Sequence, residues 1–272
     1  MTEFAALTHP GNREGENQDS IGWDTDRQFW FVADGMGGHA SGEVASRLVK
    51  ETLLAQAPLV GMPAAVLLAH EAVCRESQNI DPQRGMGSTV VTAQIANRAA
   101  QIVWVGDSRA YLWRRGQLQR LTRDHSYLEM LRQEEHLTET ALRKQQGSNV
   151  VTQALGMGTP EPSLTNVPLR HGDWIILCSD GVPVELRDAE IAQALAAHSL
   201  PKDAADALLT ATMAHGGRDN ISIIVIPYDG ASARGTWSLL PNFKDRIFEW
   251  SAVLAGVVLA AALALIWKHW TK

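Results

Sequence analysis

Phe29–Glu43 reads Phe-Trp-Phe-Val-Ala-Asp-Gly-Met-Gly-Gly-His-Ala-Ser-Gly-Glu, and this segment changes character at its sixth residue, Asp34. The apolar residues before Asp34 predict a buried strand over Gln28–Ala33. The glycines after Asp34 predict a turn that leads into a helix capped by Ser41 or Gly42. A carboxylate at the end of a buried strand costs free energy unless it is paired. We therefore expect Asp34 to have partners elsewhere in the chain.

The composition is that of an ordinary globular protein with a sizeable core. Of the 272 residues, 45% are hydrophobic and 20% are charged. The net charge of −6 offers no attraction for nucleic acid, so we expect no nucleic-acid partner. The two cysteines, Cys74 and Cys178, form no CxxC motif and are interpreted as reduced, packed thiols. The order of predicted strands and helices favours an α+β fold with mainly antiparallel sheets.

Aspartates recur at the ends of other predicted strands. Apolar runs also lead into Asp107 and Asp180, Asp219 lies just before the last apolar strand, and Asp19 follows a polar loop. If these ends converge, four or five carboxylates share one pocket. Two carboxylates about 4 Å apart repel by roughly 4 kcal/mol at an effective dielectric constant near 20, so such a cluster requires cations. Oxygen ligands without a His or Cys cluster favour Mg²⁺ or Mn²⁺ over zinc. The alternative is that each Asp-Gly pair is only a turn.

A dinucleotide-binding loop is a competing interpretation of the first segment. Gly35–Ala40 fits the pattern G-x-G-x-x-A between a strand and a helix. However, Asp34 would direct a carboxylate at the pyrophosphate, and no βαβ return strand that ends in an acidic residue follows. The context therefore disfavours a nucleotide site.

Eight short motifs in the chain resemble those of the metal-dependent protein phosphatase family, type 2C, in its short bacterial form. They occur in the family's order between Glu3 and Pro227. The matching motifs are Asn17-Gln18-Asp19, Asp34-Gly35-Met36-Gly37-Gly38, Gly87-Ser88-Thr89, Val105-Gly106-Asp107-Ser108-Arg109, Asp124-His125-Ser126, Thr152-Gln153-Ala154-Leu155-Gly156, Ser179-Asp180-Gly181 and Arg218-Asp219-Asn220.

This resemblance implies an α-β-β-α sandwich, in which two packed antiparallel β-sheets are flanked by helices and a two-metal site lies at one end. The cofactors implied are two Mn²⁺ or Mg²⁺ ions, with a third in bacterial members. The implied metal-holding residues are Asp34, which bridges the ions, Gly35, whose carbonyl binds one of them, Asp180 and Asp219, which bind the other, and Asp107, which provides the third, weaker site.

The activity implied by the resemblance is hydrolysis of phosphoserine and phosphothreonine in proteins, which reverses Ser/Thr kinase signalling. A water that bridges the two metals would attack the phosphorus in line, oriented by Asp19, without a covalent enzyme intermediate. One alternative is a catalytically inactive phosphoprotein-binding or scaffold module on the membrane. Another is a metal-dependent hydrolase of a small phosphoester.

Two positions depart from the family pattern. Glu14 stands where bacterial members usually have the phosphate-binding arginine, and Arg13 lies one residue earlier. We assign phosphate binding to Arg13, the alternative being a solvated loop arginine. Met36 stands where eukaryotic members have a proposed general-acid histidine, so nearby His39 is the candidate general acid, or else a surface histidine. A polar segment, Ser126–Gln146, aligns with the family's variable flap, which is expected to influence substrate choice.

The C-terminal segment predicts a membrane anchor. No charged residue occurs from Trp250 to Trp267, and as a helix this run would be about 27 Å long, close to the thickness of the hydrocarbon core. The alternative is a buried helix of the domain. The predicted domains are 1–228, the catalytic domain; 229–247, a linker; 248–268, a transmembrane helix; and 269–272, a short tail.

The predicted location is a bacterial inner membrane, with a single-pass anchor and a cytoplasmic catalytic domain. The first residues, Met1–Ala5, show no basic or apolar signal-peptide pattern. The expected partners are phosphorylated proteins, a membrane-associated Ser/Thr kinase whose substrates the protein resets, and the lipid bilayer.

Overall fold

Two antiparallel sheets and six helices make up the part of the chain that the computed structural model describes, residues 3–12, 15–37, 41–80, 85–134 and 150–230. The strands are β1 (Ala5–His9), β2 (Asp19–Asp24), β3 (Phe29–Gly37), β4 (Met86–Ser88), β5 (Val90–Ala96), β6 (Ala99–Val105), β7 (Arg109–Arg114), β8 (Gln117–Arg120), β9 (Ser163–Pro168), β10 (Asp173–Cys178) and β11 (Ile221–Tyr228). The helices are α1 (Ser41–Val60), α2 (Met62–Ile80), α3 (Tyr127–Glu134), α4 (Gly181–Glu185), α5 (Asp188–Ala196) and α6 (Pro201–Ala214).

The two sheets pack face to face with helices outside them. The first sheet has the strand order β1-β11-β10-β7-β8, and the second has the order β2-β3-β5-β6-β9, with β4 paired to β3. Side chains alternate along β3, because successive residues of a strand point to opposite faces. Phe31 packs in the cluster under α1 and α2, whereas Trp30 and Val32 pack in the cluster between the sheets. A third cluster lies between the first sheet and the helices α5 and α6. The predicted α-β-β-α sandwich is confirmed.

The expected turn directly after Asp34 is wrong, because β3 continues to Gly37. The strand changes its neighbour along its length: Val32 pairs with Val91 of β5, and Gly35 pairs with Ser88 of β4. A Cβ at Gly35 would overlap the carbonyl oxygen of Gly42, so the glycine allows the start of α1 to pack directly on the strand. Asp34 is therefore held inside a paired strand, where its position is better fixed than in a turn.

Helix α1 contains a proline, Pro58, close to its C-terminal end. The helix continues through Pro58 to Val60. It ends at Gly61, which has a φ of +81° and donates its N–H to the carbonyl of Ala57 at 3.0 Å. The positive φ of the glycine ends the helix, while the proline costs only one hydrogen bond near the helix end.

Within the described ranges, no helix is long and apolar enough to cross a membrane. The predicted transmembrane helix, 248–268, lies outside the described ranges. Of the predicted linker, 229–247, only residues 229 and 230 are described. Of the predicted flap, residues 126–134 are described, and they contain α3.

Candidate metal centre and substrate cleft

Four aspartates from both sheets line one cleft of about 650 Å³. Asp34 lies in β3, and Asp107 follows the end of β6, so the second sheet supplies two of them. Asp180 follows the end of β10, and Asp219 lies just before β11, so the first sheet supplies the other two. The predicted convergence of these strand ends is therefore present in the fold.

The fifth predicted carboxylate, Asp19, lies beside Asp34 because the two residues are register partners in β2 and β3. One oxygen, Oδ2, accepts a hydrogen bond from Ser179 Oγ at 2.8 Å. The other oxygen, Oδ1, is buried without a hydrogen-bond partner among the described residues. A buried carboxylate oxygen that lacks a hydrogen-bond donor is costly, so this atom is suited to accept a hydrogen bond from water or to bind a cation.

Burial and mutual repulsion raise the pKa values of these carboxyl groups. Burial is the largest cause for Asp19, whose pKa rises to about 7 although hydrogen bonds from serine hydroxyls oppose the shift. The pKa of Asp180 rises to about 6, through burial and then the charge of Asp219. Burial and the surrounding aspartates also hold the pKa of Asp34 well above its usual range, and burial with Asp180 does so for Asp107.

This donor set fits hard divalent cations. It consists of carboxylate oxygens, and Gly35, whose carbonyl is the predicted further ligand, lines the same cleft. Divalent charge would offset the burial and the repulsion that raise the pKa values. In the described part of the chain, no three His, Cys, Asp or Glu side chains already form a ligand cluster. Binding would therefore require the carboxylates to turn toward the ion.

Hydroxyl groups fix the backbone around Asp34. The N–H of Asp34 donates to Thr89 Oγ1 at 3.3 Å, and the N–H of Thr89 donates to the carbonyl of Asp34 at 2.8 Å. Thr89 Oγ1 also shares a hydrogen bond with Ser108 Oγ at 2.7 Å. Because Ser108 follows Asp107, this pair of hydroxyls ties two of the aspartate-bearing strand ends together.

Asn220 fixes the segment that carries Asp219. Its Oδ1 accepts a hydrogen bond from the N–H of Gln18 at 2.8 Å, and its Nδ2 donates to the carbonyl of Pro10 at 2.9 Å. A Cβ at Gly181 would overlap the carbonyl oxygen of Asn220, so the glycine after Asp180 allows the two segments to approach each other. Asp180 and Asp219 are thus brought together by backbone packing.

An ion pair beside the cleft, between a buried carboxylate and an exposed guanidinium, was not predicted. The Glu185 side chain is only 2% exposed and accepts hydrogen bonds from Arg218 through its N–H at 3.0 Å and its Nε and Nη2, both at 2.9 Å. The Arg218 hydrogen bonds lower the pKa of Glu185. Since Arg218 precedes Asp219, the pair holds that segment from its other side. The sequence signal was the Arg-Asp-Asn motif, but nothing local indicated Glu185 as the partner.

Two predicted site residues, Arg13 and His39, lie outside the described residues. Their expected roles in phosphate binding and proton donation stay predictions. The remaining predicted site residues, Asp19, Asp34, Gly35, Asp107, Asp180 and Asp219, lie in or beside the cleft.

Comparison with known proteins gives concordant matches. The sequence model of the family described as protein phosphatase 2C matches residues 12–220. The serine/threonine protein phosphatase PstP of Mycobacterium tuberculosis (strain CDC 1551 / Oshkosh) is 32% identical over 241 residues, which cover 84% of this chain and 46% of that protein. The chain therefore spans about half the length of this mycobacterial relative. The serine/threonine phosphatase stp of Listeria monocytogenes serotype 4b is 33% identical over 244 residues, covering 84% of this chain and 94% of that protein.

A solved structure shows the same architecture. It is the catalytic domain of the serine/threonine protein phosphatase PstP in complex with two manganese ions. The match has a TM-score of 0.73 and 32% identity, and it covers 82% of this chain and 96% of that one. The similar region thus corresponds to a catalytic domain that was crystallised by itself.

Proposed function

The chain belongs to the protein phosphatase 2C family, and from this membership we propose that it is a metal-dependent protein serine/threonine phosphatase. The observation that carries the proposal is the convergence of Asp34, Asp107, Asp180 and Asp219, two from each sheet, in one cleft. A module that only bound phosphoproteins would have no use for so many carboxylates that repel one another and the phosphate. The inactive-scaffold alternative is therefore not favoured.

The proposed cofactors are two Mn²⁺ or Mg²⁺ ions, as in the manganese-bound relative. Asp34 would bridge them, the Gly35 carbonyl would bind one, and Asp180 and Asp219 would bind the other, with a third, weaker position at Asp107. The ions supply Lewis acidity, which makes a water molecule a nucleophile and neutralises charge on the phosphoryl oxygens. Burial and then repulsion from neighbouring aspartates raise the pKa values of Asp34 and Asp180, and a bound cation would offset both effects, which supports these assignments.

Asp19 is proposed to orient the attacking water. Its Oδ2 is fixed by Ser179, which is itself held because its Oγ accepts the N–H of Ser222 at 3.0 Å. The remaining oxygen, Oδ1, is left to accept a hydrogen bond from water.

Arg13 and His39 complete the proposed site on sequence grounds. The planar guanidinium of Arg13 suits the oxygens of a phosphoryl group. His39 is the candidate donor of a proton to the leaving alkoxide. The assignment of Arg13 rests on its position in the segment Gly11–Glu14. The assignment of His39 rests on its position in the glycine-rich segment that follows Asp34.

A phosphopeptide assay tests this function. We expect the full chain, purified in detergent, to release phosphate from a phosphothreonine peptide with Mn²⁺ and to lose that activity when EDTA is added. Binding of the peptide without release of phosphate under either condition would favour the scaffold and contradict the enzyme. Hydrolysis of small phosphoesters but not of the peptide would favour a small-molecule hydrolase.

We also propose that residues 248–268 anchor the protein in a bacterial inner membrane with the catalytic domain in the cytoplasm, near a membrane-associated Ser/Thr kinase. The support is the uncharged run Trp250–Trp267 and its terminal tryptophans. We expect the full chain to remain in the membrane pellet after alkaline carbonate washing and residues 1–240 to appear in the supernatant. A full chain found entirely in the supernatant would remove the anchor.

A further inference from the structure

One wall of the cleft beside the aspartates presents two large, exposed apolar side chains among polar ones, Thr152, Gln153 and Thr159. It is formed by the segment 150–160, in which Val150 is 60% exposed and Met157 is 52% exposed. Met36 of β3 lines the same cleft. The four aspartates are the only charged residues among the described residues that line the cleft. Large apolar side chains exposed beside a reaction centre indicate a contact with substrate.

Met157 is held on a fixed turn. Leu155 and Ser88 exchange two backbone hydrogen bonds, at 3.0 and 2.8 Å. The N–H of Gly156 donates to Nδ1 of His70 on α2 at 3.0 Å. Gly156 has a φ of +85°, and a Cβ there would overlap Val73, so the segment packs against α2 without a side chain between them. This wall is therefore preorganised.

The distance between this wall and the aspartates matches a short peptide. Gly35 pairs with Ser88, and Ser88 bridges to Leu155, so two strand spacings separate Gly35 from Leu155. That separation is about 10 Å, the span of about three residues of an extended peptide. Met157, two residues after Leu155, lies against Gly87, the neighbour of Ser88. A side chain within three positions of a phosphorylated residue at the carboxylates would therefore reach Met157.

We propose that Val150 and Met157 form an apolar subsite that selects phosphoprotein substrates with a large aliphatic residue within three positions of the phosphorylated residue. This inference rests on the proposed phosphatase function and adds a substrate preference to it. The described lining offers no cationic side chain that could pair with an acidic residue at that place. The subsite therefore favours leucine or methionine over aspartate.

Peptides that differ at one position test the subsite. Phosphothreonine peptides would carry Leu or Asp at each of the three positions on either side of the phosphorylated residue. We expect wild-type kcat/KM to favour Leu at one of these positions. We expect Met157→Ala to reduce that preference by about fivefold, the effect of covering half a methionine side chain. Met157→Lys should shift the preference toward Asp. The matched control is Leu200→Ala, since Leu200 is 58% exposed and does not line the cleft.

Hydrolysis of para-nitrophenyl phosphate, which has no flanking residues, separates the two proposals. We expect its Mn²⁺-dependent rate to stay within about twofold of wild type in both Met157 variants. Equal rates on the Leu and Asp peptides, or an unchanged preference in Met157→Ala and Met157→Lys, would overturn the subsite while the phosphatase function stands. Absence of Mn²⁺-dependent phosphate release from every peptide by the wild-type protein would overturn the phosphatase function and, with it, the subsite.

Discussion

Replacing Asp180 with Asn is expected to lower kcat/KM for phosphothreonine peptides by more than about a hundredfold, since even residues that only orient metal ligands cost 10- to 100-fold in comparable sites. The asparagine keeps the shape of the side chain but removes the negative charge that we propose binds a metal ion. Because Asp180 lies between β10 and α4 with its backbone fixed by packing against Asn220, the substitution should leave the fold intact. Steady-state kinetics with Mn²⁺ would measure the effect.

The matched control is Asp203→Asn, an exposed aspartate in the first turn of α6. Its activity should equal that of the wild type. In the absence of metal, Asp180→Asn should be at least as stable as the wild type at neutral pH, because burial and Asp219 raise the pKa of Asp180 to about 6 and the ionised form is disfavoured. Circular dichroism melting would show this. Full activity in Asp180→Asn would contradict the metal assignment.

Mn²⁺ is expected to raise the melting temperature of the protein by about 5–10 °C when present at a hundred times its Kd. Binding at that excess stabilises the folded state by about 2.7 kcal/mol, and each kcal/mol corresponds to about 2–4 °C in a domain of this size. The physical reason is that the cations relieve the repulsion among the buried carboxylates. Thermal melts with and without Mn²⁺ would measure the shift, and an equal shift in Asp180→Asn would contradict the proposed site.

The same account predicts how this stabilisation depends on pH. The folded-state pKa values of Asp19 and Asp180 are about 7 and about 6, above the ordinary value of 3.8. A raised carboxyl pKa means that the folded state binds protons more tightly than the unfolded state does. Protonation of these carboxyl groups therefore stabilises the fold at low pH, and that contribution is lost as the pH rises through the folded-state pKa. Burial lowers the pKa values of His70 and His125, which oppose this loss near pH 6.5, but the four raised aspartates outnumber them. Metal-free protein should therefore lose stability between about pH 5 and about pH 7.5.

The Mn²⁺-induced shift should grow over that window, because the ion binds the ionised carboxylates and competes with protons. Hydrogen bonds from Arg218 lower the pKa of Glu185. Protonation of Glu185 therefore reduces the stability of the folded protein as the pH falls, but only below the ordinary pKa of this carboxyl group, 4.5. Comparison above about pH 5 avoids this opposing effect. A Mn²⁺ shift that is larger at low pH would contradict the account.

Long apolar strands and the main helices could be predicted from the sequence because their patterns are local. The apolar runs that lead into Asp107 and Asp180 are the strands β6 and β10. The polar strand β8 and the short helix α4 show no such pattern, since Gln117–Arg120 contains a single apolar residue and Gly181–Glu185 is too short to show a helical period. The continuation of β3 to Gly37 was missed because glycine favours turns, while pairing with β4 depends on residues distant in sequence.

In the candidate site too, some residues could be predicted from local sequence patterns and others could not. The aspartates were found because each lies at or near one end of an apolar run of residues, a pattern visible in the sequence. Their supports were not, because the contacts of Ser179 with Asp19 and of Arg218 with Glu185 join residues that only the tertiary fold brings together. The exposure of Met157 depends on how its segment packs against α2, which no local pattern encodes.

X-ray diffraction at the manganese absorption edge, on crystals grown with Mn²⁺, tests the central claim most directly. The account predicts two strong anomalous peaks in the cleft, within about 2–2.6 Å of carboxylate oxygens of Asp34, Asp180 and Asp219. Crystals of Asp180→Asn should lose one of these peaks. Clear density for the protein with no anomalous peak at these aspartates would contradict the claim that they form the metal centre.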